Sequence, residues 1–149
     1  MGQQQLLLLV LGIVIVGLAV VVGIQAFSEN QKKANADALV NDAIRIASDA
    51  QAWKLKPAAF GGGASATNWT GLTLLQIGYN VGNNTSTFGT ADADQYENLN
   101  GIFDLSASGA TLTVDGNSYN SDASVLNHIV VAITGTEPSD ITTSINPAS

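Results

Sequence analysis

The chain of 149 residues contains no cysteine, which excludes disulfides, thiolate catalysis and metal sites with cysteine ligands. It also has no lysine or arginine beyond Lys56, although eight of its twelve carboxylates lie between Pro57 and Ser149. Phosphate contacts depend on lysine and arginine, so we do not expect this acidic part to bind nucleic acid. A chain without cysteine fits reducing and oxidising compartments alike, and the redox compartment stays open.

The N-terminal segment lacks charge altogether. Met1 to Gln5 is followed by an unbroken apolar run from Leu6 to Ile24. At a rise of ~1.5 Å per residue, this run spans roughly 28 Å as a helix, close to the ~30 Å hydrocarbon core of a bilayer. A secretory signal peptide has a basic start and a shorter apolar core, and neither is present here. We therefore expect a membrane-length helix, no cleaved signal peptide, and a numbering that begins at an already processed N-terminus.

The segment from Ser28 to Lys56 contains no proline or glycine and is rich in alanine, the best helix former. Its apolar residues follow the i, i+3, i+4 spacing of one buried stripe. No stop signal separates this segment from the apolar run, which predicts one helix from about residue 3 to residue 56, ended by Pro57. We expect two parts, a hydrophobic helix over 1–27 and a globular part over 28–149. The stripe comprises Ala36, Leu39, Val40, Ala43, Ala47, Ala50 and Trp53.

Beyond Pro57 the pattern changes from helical to strand-like. Residues 61–66 read as a flexible loop, residues 72–77 as either a short helix or a strand, and residues 80–100 mostly as loop. Alternating apolar and polar residues predict a hairpin over 102–114 with its turn at Ser108-Gly109, and Asp115-Gly116 predicts the next turn. Residues 125–134 and 140–145 complete three or four antiparallel strands that would lie on the helical stripe. The predicted fold class is therefore α+β, with a long N-terminal helix and a small C-terminal antiparallel sheet.

This arrangement resembles the type IV pilins and their relatives, the pseudopilins of type II secretion. The resemblance rests on the short polar start, the apolar run to Ile24, the amphipathic extension to about residue 56, and the Gly-rich loop and strands that follow. It implies processing by a prepilin peptidase, N-methylation of Met1, and residence in the cytoplasmic membrane before assembly. It further implies a homopolymeric extracellular filament, built by inner-membrane assembly machinery, of a kind used in adhesion and motility.

One position departs from the family pattern. Gln5 stands where the family usually has a glutamate that neutralises a neighbouring N-terminal ammonium. A buried unpaired ammonium costs several kcal/mol, so the amides of residues 3–5 would have to solvate it, or it would lose its proton. The disulfide loop near the C-terminus of many bacterial pilins is also absent, and bacterial or archaeal origin stays open.

The resemblance implies that the apolar run packs on sister subunits. Three glycines there remove side chains and let helix axes approach closely, or simply reflect the frequency of glycine in membrane helices. Glycine also weakens a helix, so local unwinding over 12–23 in the filament is the alternative to a continuous helix. The expected assembly residues are Met1, Gln5, Leu6, Leu9, Gly12, Ile13, Val16, Gly17, Val20, Gly23 and Ile24.

Candidate sites elsewhere in the chain are weak. His128 has no cysteine or second histidine as a companion, and we expect a strand histidine with a backbone partner. Asp92, Asp94 and Glu97 are spaced so that they could offer oxygens to Ca²⁺, although solvated acidic loops are commoner. No catalytic residue or cofactor is predicted. The glycosylation pattern Asn-x-Ser/Thr occurs at Asn68, Asn83 and Asn84.

Three functions compete at this stage. The first is the structural subunit of an extracellular pilus, which the cation-free head rich in Thr, Ser, Asn and Gly favours. The second is a pseudopilin of a type II secretion system, with the same helical core but a short periplasmic assembly. The third is a single-pass membrane-anchored binding domain that never polymerises. An enzyme is a distant fourth, because no nucleophile–base pair or metal cluster can be picked out.

Overall fold

The computed structural model describes residues 2–64, 68–81, 94–120 and 124–147. The chain divides into two compact units, residues 1–34 and 35–149, and the predicted boundary after residue 27 stays a prediction. Within the described residues the fold has one long helix and a five-stranded antiparallel sheet, which confirms the predicted α+β class.

Helix α1 runs from Gly2 to Leu55, within one residue of the predicted bounds at both ends. In this single chain the helix is unbroken through the glycines of the apolar run, and local unwinding within a filament stays a prediction. Pro57 cannot continue the helix, because it has no N–H and restricts the residue before it. A short 3₁₀ helix, Ala58–Phe60, follows, and Gly61 adopts a left-handed conformation at its end.

The second half of α1 buries the predicted stripe. Every predicted stripe residue is buried except Val40, which packs at the edge of the core. Ile46 and Gln51 are buried as well, although the stripe prediction did not include them. The Gln51 amide donates to the carbonyls of Gly135 (3.0 Å) and Glu137 (2.9 Å), which ties the helix to the loop between the last two strands. Most of the stripe is alanine, so the helix backbone can lie close to the sheet.

The sheet is a meander in which each strand pairs with the next, in the order β1-β2-β3-β4-β5. It has five strands rather than the three or four predicted, and its first, two-residue strand lies in a segment predicted to be mostly loop. Along β3 and β4 buried residues alternate with half-exposed ones, whereas in β2 only the first two residues, Ile102 and Phe103, are buried. The strands are β1 (Tyr96–Glu97), β2 (Ile102–Ser108), β3 (Thr111–Tyr119), β4 (Val125–Ile133) and β5 (Ile141–Pro147).

Two turn predictions need correction. The β2–β3 turn is at Gly109 and Ala110, one residue later than predicted, with Gly109 in the left-handed region. The predicted turn at Asp115-Gly116 was wrong, because both residues continue β3. Gly116 has a packing role there, since a Cβ atom would lie 2.8 Å from Cγ1 of Ile129. Gly116 therefore leaves space for the side chain of Ile129 in the core and does not form a turn.

The core lies between α1 and one face of the sheet. Trp69 belongs to it, and its Nε1 donates to the carbonyl of Ala110 (2.9 Å). Residues 72–77, which the sequence left undecided, contain a 3₁₀ helix, Leu74–Ile77, whose first residue is fully buried. The largest fully buried side chains are Phe103, Leu39, Ile46, Leu74, Leu112, Ile129, Ile133, Val114 and Val131.

Tyr79 couples the loop after this 3₁₀ helix to α1, and its titration provides a test of that contact. Its hydroxyl donates to Oδ2 of Asp49 at 2.6 Å, and burial together with this carboxylate raises the pKa of Tyr79. A raised pKa stabilises the fold fully below the unfolded value of about 10, and that contribution is lost as the pH rises through the folded value.

We expect the free energy of unfolding of the wild type to fall more steeply above pH ~10 than that of Tyr79→Phe. Denaturant unfolding of both proteins at a series of pH values from 8 upwards measures the difference. Parallel pH profiles for the two proteins would show that the contact contributes nothing to stability.

Candidate assembly surface

The first half of α1 presents an apolar surface on every side. All fifteen leucine, isoleucine and valine side chains between Leu6 and Ile24 are at least 50% exposed, as is Phe27. A helix that is hydrophobic all round is stable in water only when something covers it. Monomeric soluble proteins rarely expose a continuous apolar area of this size. By length and composition the helix can cross a membrane.

The expected assembly residues from Gln5 to Ile24 all lie on this exposed helix. Leu6, Leu9, Ile13, Val16 and Val20 follow the i, i+3, i+4 spacing, which places them along one side of it. Met1, the position expected to be methylated, lies outside the described residues.

The glycines of the apolar run make no room for any neighbouring side chain among the residues that the structure describes. A Cβ atom added at Gly12, Gly17 or Gly23 would meet nothing within 4 Å. Each glycine costs a helix ~1 kcal/mol relative to alanine. They leave patches of bare helix backbone that another helix can approach closely.

A polar cluster in the second unit was not foreseen from the sequence. Oδ2 of Asp42, on α1, accepts hydrogen bonds from the amides of Asn98 (2.8 Å) and Asn100 (2.7 Å). The Asn35 amide donates to the carbonyl of Asn100 (3.2 Å), and the amide of buried Asn127 donates to Oδ1 of Asn35 (3.0 Å). These bonds join α1 to the β1–β2 turn and to β4. The sequence does not predict this cluster, because its four asparagines and one aspartate are scattered along the chain without a common spacing.

His128 lies in β4 as expected, but its predicted backbone partner was wrong. Its Nε2 is 2.9 Å from Oδ1 of Asp115 on β3. Asp115 pairs directly with Val130, so the contact is diagonal across two neighbouring strands. About one third of each side chain is exposed, which is typical of a surface pair on a sheet face.

The remaining candidate sites lie only partly within the described residues. Asp94 and Glu97 are exposed, whereas Asp92 lies outside the described residues. Among the residues that the structure describes, no three His, Cys, Asp or Glu side chains are grouped so that they could hold a metal ion. Asn83 and Asn84 also lie outside them, and glycosylation stays a prediction.

Asn68, the described glycosylation candidate, stands beside an anchored tryptophan. Its Oδ1 accepts a hydrogen bond from the backbone N–H of Thr70 (3.3 Å), and its carbonyl accepts one from Nζ of Lys54. The same ammonium lies 5.3 Å from the ring centroid of Trp69, within the range of a cation–π contact. The only lysine in the last turn of α1 therefore holds the loop against the helix.

No protein-family model, no curated protein and no solved structure matches the chain.

Proposed function

We propose that the chain is the structural subunit of an extracellular filament of the type IV pilus kind. The observation that carries the proposal is the first half of α1, an unbroken helix whose apolar side chains are all exposed. The second unit has a hydrophobic core of its own, so it does not need this apolar surface in order to fold. The exposed helix is then available for lipid before assembly and for sister subunits afterwards.

The energetics favour a polymer once the helix has left lipid. Burial of one large aliphatic side chain out of water contributes ~1.5–3 kcal/mol. Fifteen such residues correspond to tens of kcal/mol per subunit if neighbouring helices cover them. Within a membrane this driving force is absent, because lipid tails are as apolar as the side chains, and association depends on close packing. A filament of this kind would therefore be very stable outside the membrane.

In the proposed filament the N-terminal end of α1 would lie in the interior, where its ammonium group needs hydrogen-bond partners. No acidic residue occupies the first turn of α1, and Gln5 takes the place of the family's glutamate. Neutral amides can accept hydrogen bonds from an N-terminal ammonium but cannot neutralise its charge. We propose that Met1 is N-methylated, a modification that leaves the charge of the amine in place, so that the amides of residues 3–5 would solvate it.

A single-pass membrane anchor is the second candidate, because the same helix is long and apolar enough to cross a membrane. The two functions differ in the fate of the helix. In an anchored monomer lipid covers residues 6–27 permanently, whereas in a filament neighbouring copies cover them.

The decisive experiment is electron microscopy of material sheared from the surface of cells that produce the chain. We expect filaments in which mass spectrometry finds this chain beginning at a methylated Met1. Detergent-extracted monomers without any sheared filament would favour the membrane anchor. A short periplasmic assembly without surface filaments would favour a pseudopilin.

A further inference from the structure

The turn between β1 and β2 holds a leucine in solvent. Within residues 97–101, here called the Leu99 turn, Oδ1 of Asn98 accepts hydrogen bonds from the N–H groups of Asn100 (2.9 Å) and Gly101 (3.0 Å). Asparagine favours turns because its side chain can bind the backbone in this way. The Leu99 side chain at the tip is 104% exposed, the most exposed large apolar residue among those described.

The Leu99 turn is fixed to the helix on both sides of its tip. The residues before and after Leu99 both donate to Asp42, at 2.8 and 2.7 Å. Gly101 lies so close to β3 that a Cβ atom would be 2.4 Å from the carbonyl oxygen of Asn117. A lone exposed leucine is ordinary on a protein surface. A leucine on a turn fixed in this way loses little conformational freedom when it binds, which favours association.

A hollow beside the end of α1 offers a surface of the right size and chemistry. This helix-end hollow has a volume of about 380 Å³ and an apolar wall that includes Ala52, Trp53 and Ile77. Lys56, whose side chain is exposed, stands at its edge. Asp49 also lines it, and its carboxylate accepts a hydrogen bond from the hydroxyl of Tyr79. The helix-end hollow can take an apolar side chain and pair an approaching carboxylate with the ammonium of Lys56.

The positions of the acidic and basic side chains favour contact between different surfaces of two copies. The Leu99 turn begins at the exposed carboxylate of Glu97, three residues after that of Asp94. Every lysine and arginine of the chain lies between residues 32 and 56, so only helix α1 and the residue that follows it carry cations. Two Leu99 turns facing each other would bring like charges together, whereas a turn facing the end of α1 brings opposite charges together.

We propose that the Leu99 turn of one copy docks in the helix-end hollow of a second copy. Leu99 would cover the apolar wall, and Glu97 would approach Lys56. The two surfaces differ, so the contact is head-to-tail and can repeat indefinitely when the rotation between copies does not close a ring. This inference rests on the proposed filament and names the contact between neighbouring heads within it.

Cysteine cross-linking tests the contact, because the chain has no cysteine of its own. Filaments are assembled from a mixture of two full-length variants, Leu99→Cys and Ala52→Cys. A disulfide forms only when the two Cα atoms come within about 7 Å. We expect a dimer on a non-reducing gel from the mixture, at least tenfold above the dimer from either variant alone.

The control mixture combines Ala52→Cys with Ser106→Cys, whose position is exposed on β2. Filaments that form normally but cross-link no better than this control would overturn the docking contact and leave the proposed function intact. Absence of any polymer from the wild-type chain would overturn both.

A charge exchange gives an independent readout of the same contact. Glu97→Lys and Lys56→Glu are each expected to lower filament yield, and the double variant is expected to restore it, since the opposite charges face each other again. The wild-type contact should also weaken as the salt concentration rises. A double variant that assembles no better than the worse single variant would contradict the pairing of Glu97 with Lys56.

Discussion

Replacement of Val16 by aspartate is expected to abolish the proposed filament while leaving the C-terminal unit folded. Val16 is 63% exposed near the middle of the apolar run, and it would become buried if neighbouring helices covered that run as proposed. A carboxylate buried there without a partner costs several kcal/mol per subunit, and the cost recurs at every subunit of the polymer. The core of the second unit lies within residues 39–141, so the substitution does not touch it.

The measurement separates assembly from membrane insertion. An aspartate at the centre of a membrane helix costs about 2.5–3.5 kcal/mol, which the many remaining leucines, isoleucines and valines of the run can offset. We therefore expect Val16→Asp to stay in the membrane fraction and to yield no sheared filament. The matched control Val16→Leu should be found in the membrane fraction and should also yield sheared filament. Wild-type amounts of filament from Val16→Asp would contradict a tightly packed apolar interior.

The helix was the most predictable part of the fold. An alanine-rich segment without proline or glycine joins a membrane-length apolar run, and both favour helix, so the bounds agreed within one residue. The buried stripe followed from the i, i+3, i+4 pattern for the same reason. Ile46 was missed although Leu39, Ala43 and Ala50 stand at helical spacings from it and share its face.

The sheet was predictable in type but not in detail. Alternation predicted the hairpin that contains β2, and β-branched residues predicted β4; β2, β4 and β5 all lie within two residues of their predicted bounds. The Asp115-Gly116 pair failed as a turn signal because a dipeptide carries only local information. Phe103 and Ile129, which fill the space beside Gly116, come from two other strands.

Of the two candidate surfaces, one could be predicted from the sequence and the other could not. The apolar run can be read directly, since a helix of this length that is hydrophobic all round needs a cover of lipid or of other protein surfaces. The Leu99 turn could not be read, because Asp42 and Asn98 are 56 residues apart and only the folded chain brings them together. Its leucine has no sequence signal either, since one apolar residue between two asparagines fits any surface loop.

The second large expected effect is a loss of stability when the buried Leu39 is replaced by alanine. Leu39 on α1 is 0% exposed, and its Cδ2 would lie 2.7 Å from a Cβ added at Gly101, beneath the Leu99 turn. Leu39→Ala removes buried methyl groups and leaves a cavity there, which typically lowers the free energy of unfolding by about 2–5 kcal/mol. Single domains are stable by only about 5–15 kcal/mol, so this variant should lose a large part of its stability.

Leu99→Ala is the matched control, because the same atoms are removed from a side chain that is 104% exposed. Its free energy of unfolding should stay within about 0.5 kcal/mol of the wild type. Denaturant unfolding followed by the fluorescence of the buried Trp53 and Trp69 measures both variants. Equal unfolding midpoints for the two variants would mean that Leu39 is not in the core. If Leu99→Ala is as stable as the wild type but assembles poorly, Leu99 contributes to contacts between subunits rather than to the fold. The truncation would then weaken association and leave folding unchanged.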